Sequence, residues 1–168
     1  MESTNPPEIL MNGTAADCLS PKTSLLADYW RERMAPDGTL PRWRDFELMD
    51  LYAIAPTLAV KDVIDAGGDF INRYWGSQLT NALGFEGTQA RVSTYRPITM
   101  RETVLKRYRQ LVATREPSLA RGRISSMPGL EYLHFELIHM PLRGDGSSVD
   151  HIISVYDFGF RIGDPGAV

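Results

Sequence analysis

The chain has little cysteine, little histidine and no surplus of positive charge, and each shortage narrows the possible functions. One cysteine, Cys18, stands in 168 residues. No internal disulfide can form, which fits a reducing cytoplasm. Cys18 has no basic neighbour to draw off its proton, which argues against a reactive thiol. Lys and Arg number 18 against 21 Asp and Glu, a formal charge of -3. A nucleic-acid binder needs the opposite surplus on one face. The one local basic strip, Arg101, Lys106, Arg107 and Arg109, reads as the solvated face of a helix. No apolar run approaches the roughly 18 residues that a membrane span needs. The first residues also lack the charged-then-apolar order of a signal peptide. These absences lead to the expectation of a cytoplasmic protein with no membrane span and no nucleic-acid partner.

What is present is ordinary for a globular chain: 43% hydrophobic and 23% charged residues. At this length one domain can bury about two-thirds of the unfolded surface. Residues 1–23 are polar, carry Pro6, Pro7, Gly13 and Pro21, and read as a disordered tail. Residues 24–160 read as a single domain and residues 161–168 as a C-terminal tail. The domain opens with an amphipathic helix over 24–35, capped by Ser24, with Leu26, Trp30 and Met34 at a spacing of four. Such a helix packs either on its own sheet or on a second copy of the chain. A short helix is expected over Phe46–Ala55, ended by Pro56. Thr57–Ile64 and Phe70–Trp75 then read as a hairpin around Gly67-Gly68. Strict alternation puts Phe70, Asn72 and Tyr74 on one face and Ile71, Arg73 and Trp75 on the other. Gln78–Leu83 is a possible helical turn stopped by Gly84.

The strongest pattern lies between Thr99 and Phe158. Thr99 and Glu102 have capping-box spacing. Val104, Leu105, Tyr108, Leu111 and Val112 form one apolar stripe. Three strand-like runs follow: Ser118–Ser126, Glu131–Leu142 and Val149–Phe160, separated by Pro128-Gly129 and Gly144–Ser147. Short turns make sequential strands antiparallel. The expected fold is α+β, a five-stranded antiparallel sheet with helices on one face.

At this point the chain resembles a bacterial PAS-like sensory family of small stand-alone proteins. The resemblance rests on Tyr29-Trp30 with Pro41 downstream, on Pro56…Leu58-x-Val60-x-Asp62-Val63, and on Phe70…Trp75-Gly76-Ser77. It continues through Tyr108…Thr114-x-x-Pro117, Ala120-Arg121-Gly122, and Glu136…Pro141-Leu142…Asp145-Gly146…Val149-Asp150-x-Ile152. It departs from the family pattern at Gly84-Phe-Glu-Gly-Thr88, and at His139, where an aliphatic residue is expected. The resemblance implies a PAS fold with a cavity between sheet and helices. It implies signalling without enzymatic activity, in trans and commonly as a homodimer, through a small-molecule ligand or a signalling protein partner. It names no cofactor.

The residues themselves offer two readings of a site. Trp75, Tyr95, Tyr108, Phe135, Tyr156 and Phe158, with His139 as a polar handle, either line an apolar ligand cavity or simply fill the core. His134 and His139 are five apart on one strand and point to opposite faces, so they cannot share a metal directly. His139 and His151 could be neighbours across the Gly144 turn. The alternative function is a small hydrolase or isomerase acting on an apolar substrate. It requires a cavity histidine as base and a carboxylate within about 3 Å of a common point.

Overall fold

The computed structural model describes residues 9–124, 129–130 and 133–163. It is α+β, with six antiparallel strands in the order β1-β4-β5-β6-β2-β3. The strands are β1 (Leu10–Gly13), β2 (Leu58–Ile64), β3 (Asp69–Trp75), β4 (Ser118–Arg123), β5 (His134–Arg143) and β6 (Val149–Phe158). The helices are α1 (Pro21–Glu32), α2 (Ser77–Leu83) and α3 (Ile98–Thr114). The expected Phe46–Ala55 helix is instead a string of 3-10 turns at Trp43–Asp45, Leu48–Leu51 and Ala55–Thr57.

The expected five strands become six because part of the N-terminal tail is structured. Leu10 pairs with Arg121 and Gly13 with Leu119, which extends the sheet beyond β4. Thr14 then caps a 3-10 turn over Ala15–Asp17. Ser20, rather than Ser24, caps α1: its side chain accepts from the Lys22 amide, and Pro21 takes the first helical position. Proline is well suited there, since that N–H has no partner within the helix anyway. At α3 the helix begins at Ile98 with Pro97 as N-cap and no side-chain cap. Thr99 therefore lies inside the first turn and cannot serve as the start of a capping box. Residues 125–128 and 131–132, which fell within the expected strand ends and turn, lie outside the described residues, as do 164–168 of the expected C-terminal tail.

The helices occupy both faces of the sheet, not one. α1 packs on β5 and β6, and its Leu26, Ala27 and Trp30 are buried. The stripe on α1 is thus used on its own sheet. Trp30 Nε1 donates to the Pro141 carbonyl at 2.8 Å. Pro141 is tolerated in β5 because β4 reaches only to His139 on that side, so no partner strand seeks its missing N–H.

The anchor of this face is Glu136, fully buried on β5. It accepts from the Leu19 and Ser20 amides at 2.9 and 2.8 Å, from Thr23 Oγ1 at 2.5 Å, and from Arg121 Nε at 3.0 Å. Ser20 Oγ also donates to Asp157 at 2.5 Å. A buried carboxylate is costly unless it is paired and hydrogen-bonded, and Glu136 is both. It fixes the start of α1 to the middle of the sheet.

Candidate functional site

The opposite face of the sheet carries α3. Tyr108, fully buried, projects from α3 edge-on to Phe70 at 5.2 Å and to His139 at 4.9 Å between ring centroids. On this face the strand register aligns Ala120 with Leu137, His139 with Ser154, and Leu137 with Tyr156. Leu137, Tyr156 and Phe158 lie under α3 yet are only half-buried. The reason is a cavity of about 120 Å³ between α3 and the sheet. Trp75, Tyr95, Tyr108, Phe135, His139, Tyr156 and Phe158 all border it.

Trp75 reaches the cavity by a route that alternation alone would not predict. β2 and β3 pair Val60 with Tyr74 but Lys61 with Asn72, so Arg73 is an extra residue on β3. Such a bulge shifts the phase of every residue beyond it. Asn72 and Trp75 therefore share a face, correcting the alternation that set them apart. Trp75 is then held by the segment from Gly84 to Thr88. Phe85 lies 5.2 Å from its ring and 5.1 Å from Tyr95. A Cβ on Gly87 would stand 2.6 Å from the indole, so no larger residue fits without moving Trp75. Glu86 folds this loop by accepting from the Thr88 amide at 2.8 Å and its hydroxyl at 2.5 Å. Asn72 Nδ2 donates to the Gly87 carbonyl at 2.9 Å and to Tyr95 Oη at 2.6 Å.

Behind the cavity wall lies a polar cluster. Ser154 Oγ is 2.5 Å from His139 Nδ1 and accepts from Lys61 Nζ at 3.3 Å. Ser154 thus bridges the Lys61 amine and the His139 imidazole. Lys61, His139 and Ser154 are all buried. No carboxylate pairs with Lys61 among the described residues. Its ammonium instead faces the Tyr108 ring at 4.9 Å and the Tyr156 ring at 5.7 Å. Removal from water pushes the Lys61 pKa down from 10.5 to about 7. Burial, and then the nearby positive charges of Lys61 and Arg107, hold His139 well below its ordinary value, in the neutral form. Burial raises the Tyr95, Tyr108 and Tyr156 phenols. The last two share a 3.4 Å hydroxyl contact. The groups facing the cavity interior are therefore uncharged.

Charge enters only at the rim. Arg107, read from sequence as solvated, is half-buried. Its Nη1 donates to the Met11 carbonyl at 2.8 Å and to Ser118 Oγ at 3.0 Å. Arg123 and Thr103, both exposed, also border the opening. None of the lining residues is an Asp or Glu, so the carboxylate that a histidine base would need is missing from the described site.

The other histidines lie elsewhere. His151 pairs with Leu142, not His139, and its Nδ1 meets Asp62 at 2.8 Å. His134 lies outside this cavity. Among the described residues no cluster of three or more His, Cys, Asp or Glu could hold a metal. Cys18 is partly buried, and desolvation pushes its thiol up to about 11. None of the helices in the described residues is long and apolar enough to cross a membrane.

Sequence reasoning did not single out Lys61, Ser154 or Phe85 for this site, and it read Arg107 as solvated. Lys61 did leave a signal: it is the one cation in the apolar run Leu58–Val60 and Val63–Ile64. No protein-family model matches the chain, and the comparison with curated proteins finds no match.

Proposed function

We propose that this protein is a non-enzymatic PAS-like sensory domain that binds a small apolar ligand between α3 and the sheet and relays its presence to a protein partner. The observation that carries this reading is the cavity itself. It is lined mostly by apolar and aromatic side chains, with the Tyr hydroxyls and His139 as its few interior polar groups, which is the makeup of a small-ligand pocket. A further support is that β2 to β6 are contiguous in the sheet, as a PAS-like domain would require. Helix α3 spans the cavity, and its Arg107 touches both β1 and β4. A ligand that displaced α3 would therefore disturb the N-terminal strand, which offers a path from ligand to surface. Dimerisation, if it accompanies signalling, needs a surface other than the buried stripe of α1.

Cavity size limits the ligand. Drug-sized ligand sites run to roughly 300–1,000 Å³, whereas a dry cavity of ~150 Å³ holds a benzene ring. At about 120 Å³ the site suits a ligand of single-ring size. Native mass spectrometry of the purified protein, joined to a thermal-shift screen of small apolar metabolites, tests the reading. Retained mass or a dose-dependent rise in Tm is expected. No bound mass and no shift across the screen would leave a purely interacting module instead.

A further inference from the structure

The cavity wall is neutral and aromatic, yet two arginines, Arg107 and Arg123, border its opening and no acid does. Arg107 is the more telling of the two. It is half-buried and pinned through one nitrogen, Nη1, to Met11 and Ser118. Its remaining N–H groups have no hydrogen-bond partner, and it has no ion pair, among the described residues. An arginine that needed only to hold β1 to β4 would not have to border the cavity. Arg123, at the end of β4, borders the same opening. A guanidinium presents a planar fork of donors that matches a carboxylate in two-point contact.

We propose that the ligand is a small amphipathic acid, an aromatic or short aliphatic body carrying one carboxylate, with the body in the cavity and the carboxylate on Arg107 at its rim, where Arg123 adds positive charge. This rests on the reading of the cavity as a ligand site. The complementarity is simple. Trp75, Phe85, Tyr95 and Phe135 receive the apolar body, where no charged group opposes it. The anion stays at the rim, where desolvation is partial and two cations are available. A cationic ligand would meet like charge at the entrance, and a dicarboxylate would have to bury its second charge against aromatic rings.

The experiment compares matched probes on the full chain: benzoate against benzyl alcohol, and hexanoate against hexanol, by heteronuclear NMR titration. The acids should bind about tenfold or more tightly than their alcohols, since hydrogen bonds to charged groups exceed neutral ones. Arg107→Gln should remove most of that preference while the alcohols still bind. Arg123→Gln, at an exposed position, should reduce it in part and keeps the test open if the first variant folds poorly. Raising salt should weaken the acids and leave the alcohols unchanged. If acids and alcohols bind equally, the acid assignment is overturned while the ligand cavity stands. If neither the acids, the alcohols nor xenon perturbs residues around the cavity, both readings fail together.

Discussion

Lys61 is the group whose removal should change the protein most visibly. Its amine sits fully inside the sheet–α3 layer with one hydrogen-bond partner, Ser154. Its pKa falls from 10.5 in the unfolded chain to about 7 when folded. The folded pKa is depressed, so the unfolded chain holds the proton more tightly. Stability is therefore greatest above pH 10.5, declines as pH falls toward 7, and is flat below. At 1.36 kcal/mol per pH unit the full difference is about 5 kcal/mol. Between pH 9 and pH 7 the wild-type chain should lose about 2 kcal/mol of stability through this group alone.

Lys61→Met keeps the straight apolar stem and deletes the amine. Ser154 still has His139 Nδ1 as partner at 2.5 Å, so the variant orphans no polar group that Lys61 alone had satisfied. After allowing ~1 kcal/mol for the lost hydrogen bond, the variant should be roughly 3 kcal/mol more stable than wild type at pH 7. The gain should shrink toward pH 10. Urea unfolding followed by tryptophan fluorescence at half-unit steps from pH 6.5 to 9.5 measures both. The difference between the two proteins isolates Lys61 from the other titrating groups, because those are common to both. A variant that is less stable at pH 7, or one whose pH profile parallels wild type, would show that burial does not lower the amine's pKa.

Other substitutions probe the remaining parts. Arg121→Ala leaves Glu136 buried without its cation and should cost about 3–5 kcal/mol in chemical denaturation; a loss under 1 kcal/mol would show that the backbone amides suffice. Leu137→Phe should fill the cavity from its floor, abolish xenon or benzene binding, and change stability by less than about 1.5 kcal/mol; undiminished binding would place the void elsewhere. His139 has a folded pKa well below its ordinary 6.5, so its contribution is complete above that value and is lost as pH falls. His139→Gln should flatten the loss of stability between pH 6.5 and pH 4, and an unchanged acid limb would assign that loss to the carboxylates.

The fold was legible wherever hydrophobic period and turn residues agreed. The Asp65–Gly67 turn, the stripe from Val104 to Val112 and the breaks at Gly144–Ser147 located the hairpin, α3 and β6 within a residue or two at most ends. Two of three failures have a common cause, which is that the deciding contact is distant in sequence. Leu10–Gly13 has no strand pattern of its own and becomes a strand only because β4 offers an unpaired edge. Pro21 is the exception, since Ser20 and Pro21 carry a local start signal, an N-cap followed by proline at the first helical position, within a stretch assigned to the tail. Arg73 cannot be recognised as a bulge without its partner strand. The site shows the same division. Aromatic content drew attention to Trp75, Tyr95, Tyr108, Phe135 and Tyr156. Burial of Lys61 depends on which strands face α3, whereas Arg107, three after Val104 and four before Leu111, falls on the inward stripe by helical spacing.

The Glu136 anchor bears on the order in which the chain assembles. Its partners at Leu19, Ser20 and Thr23 lie 113 to 117 residues upstream. During synthesis the segment that will become the start of α1 emerges first and waits for almost the whole domain before its acceptor exists. Ribosomes add roughly 5–20 residues per second, so that interval lasts from several seconds to over twenty. β1 is also an edge strand, paired with β4 alone among the strands of the sheet, and such weakly tied elements open at free energies below the global one. Amides of residues 10–23 should therefore exchange with solvent together, as one cooperative unit, ahead of those in β5 and β6.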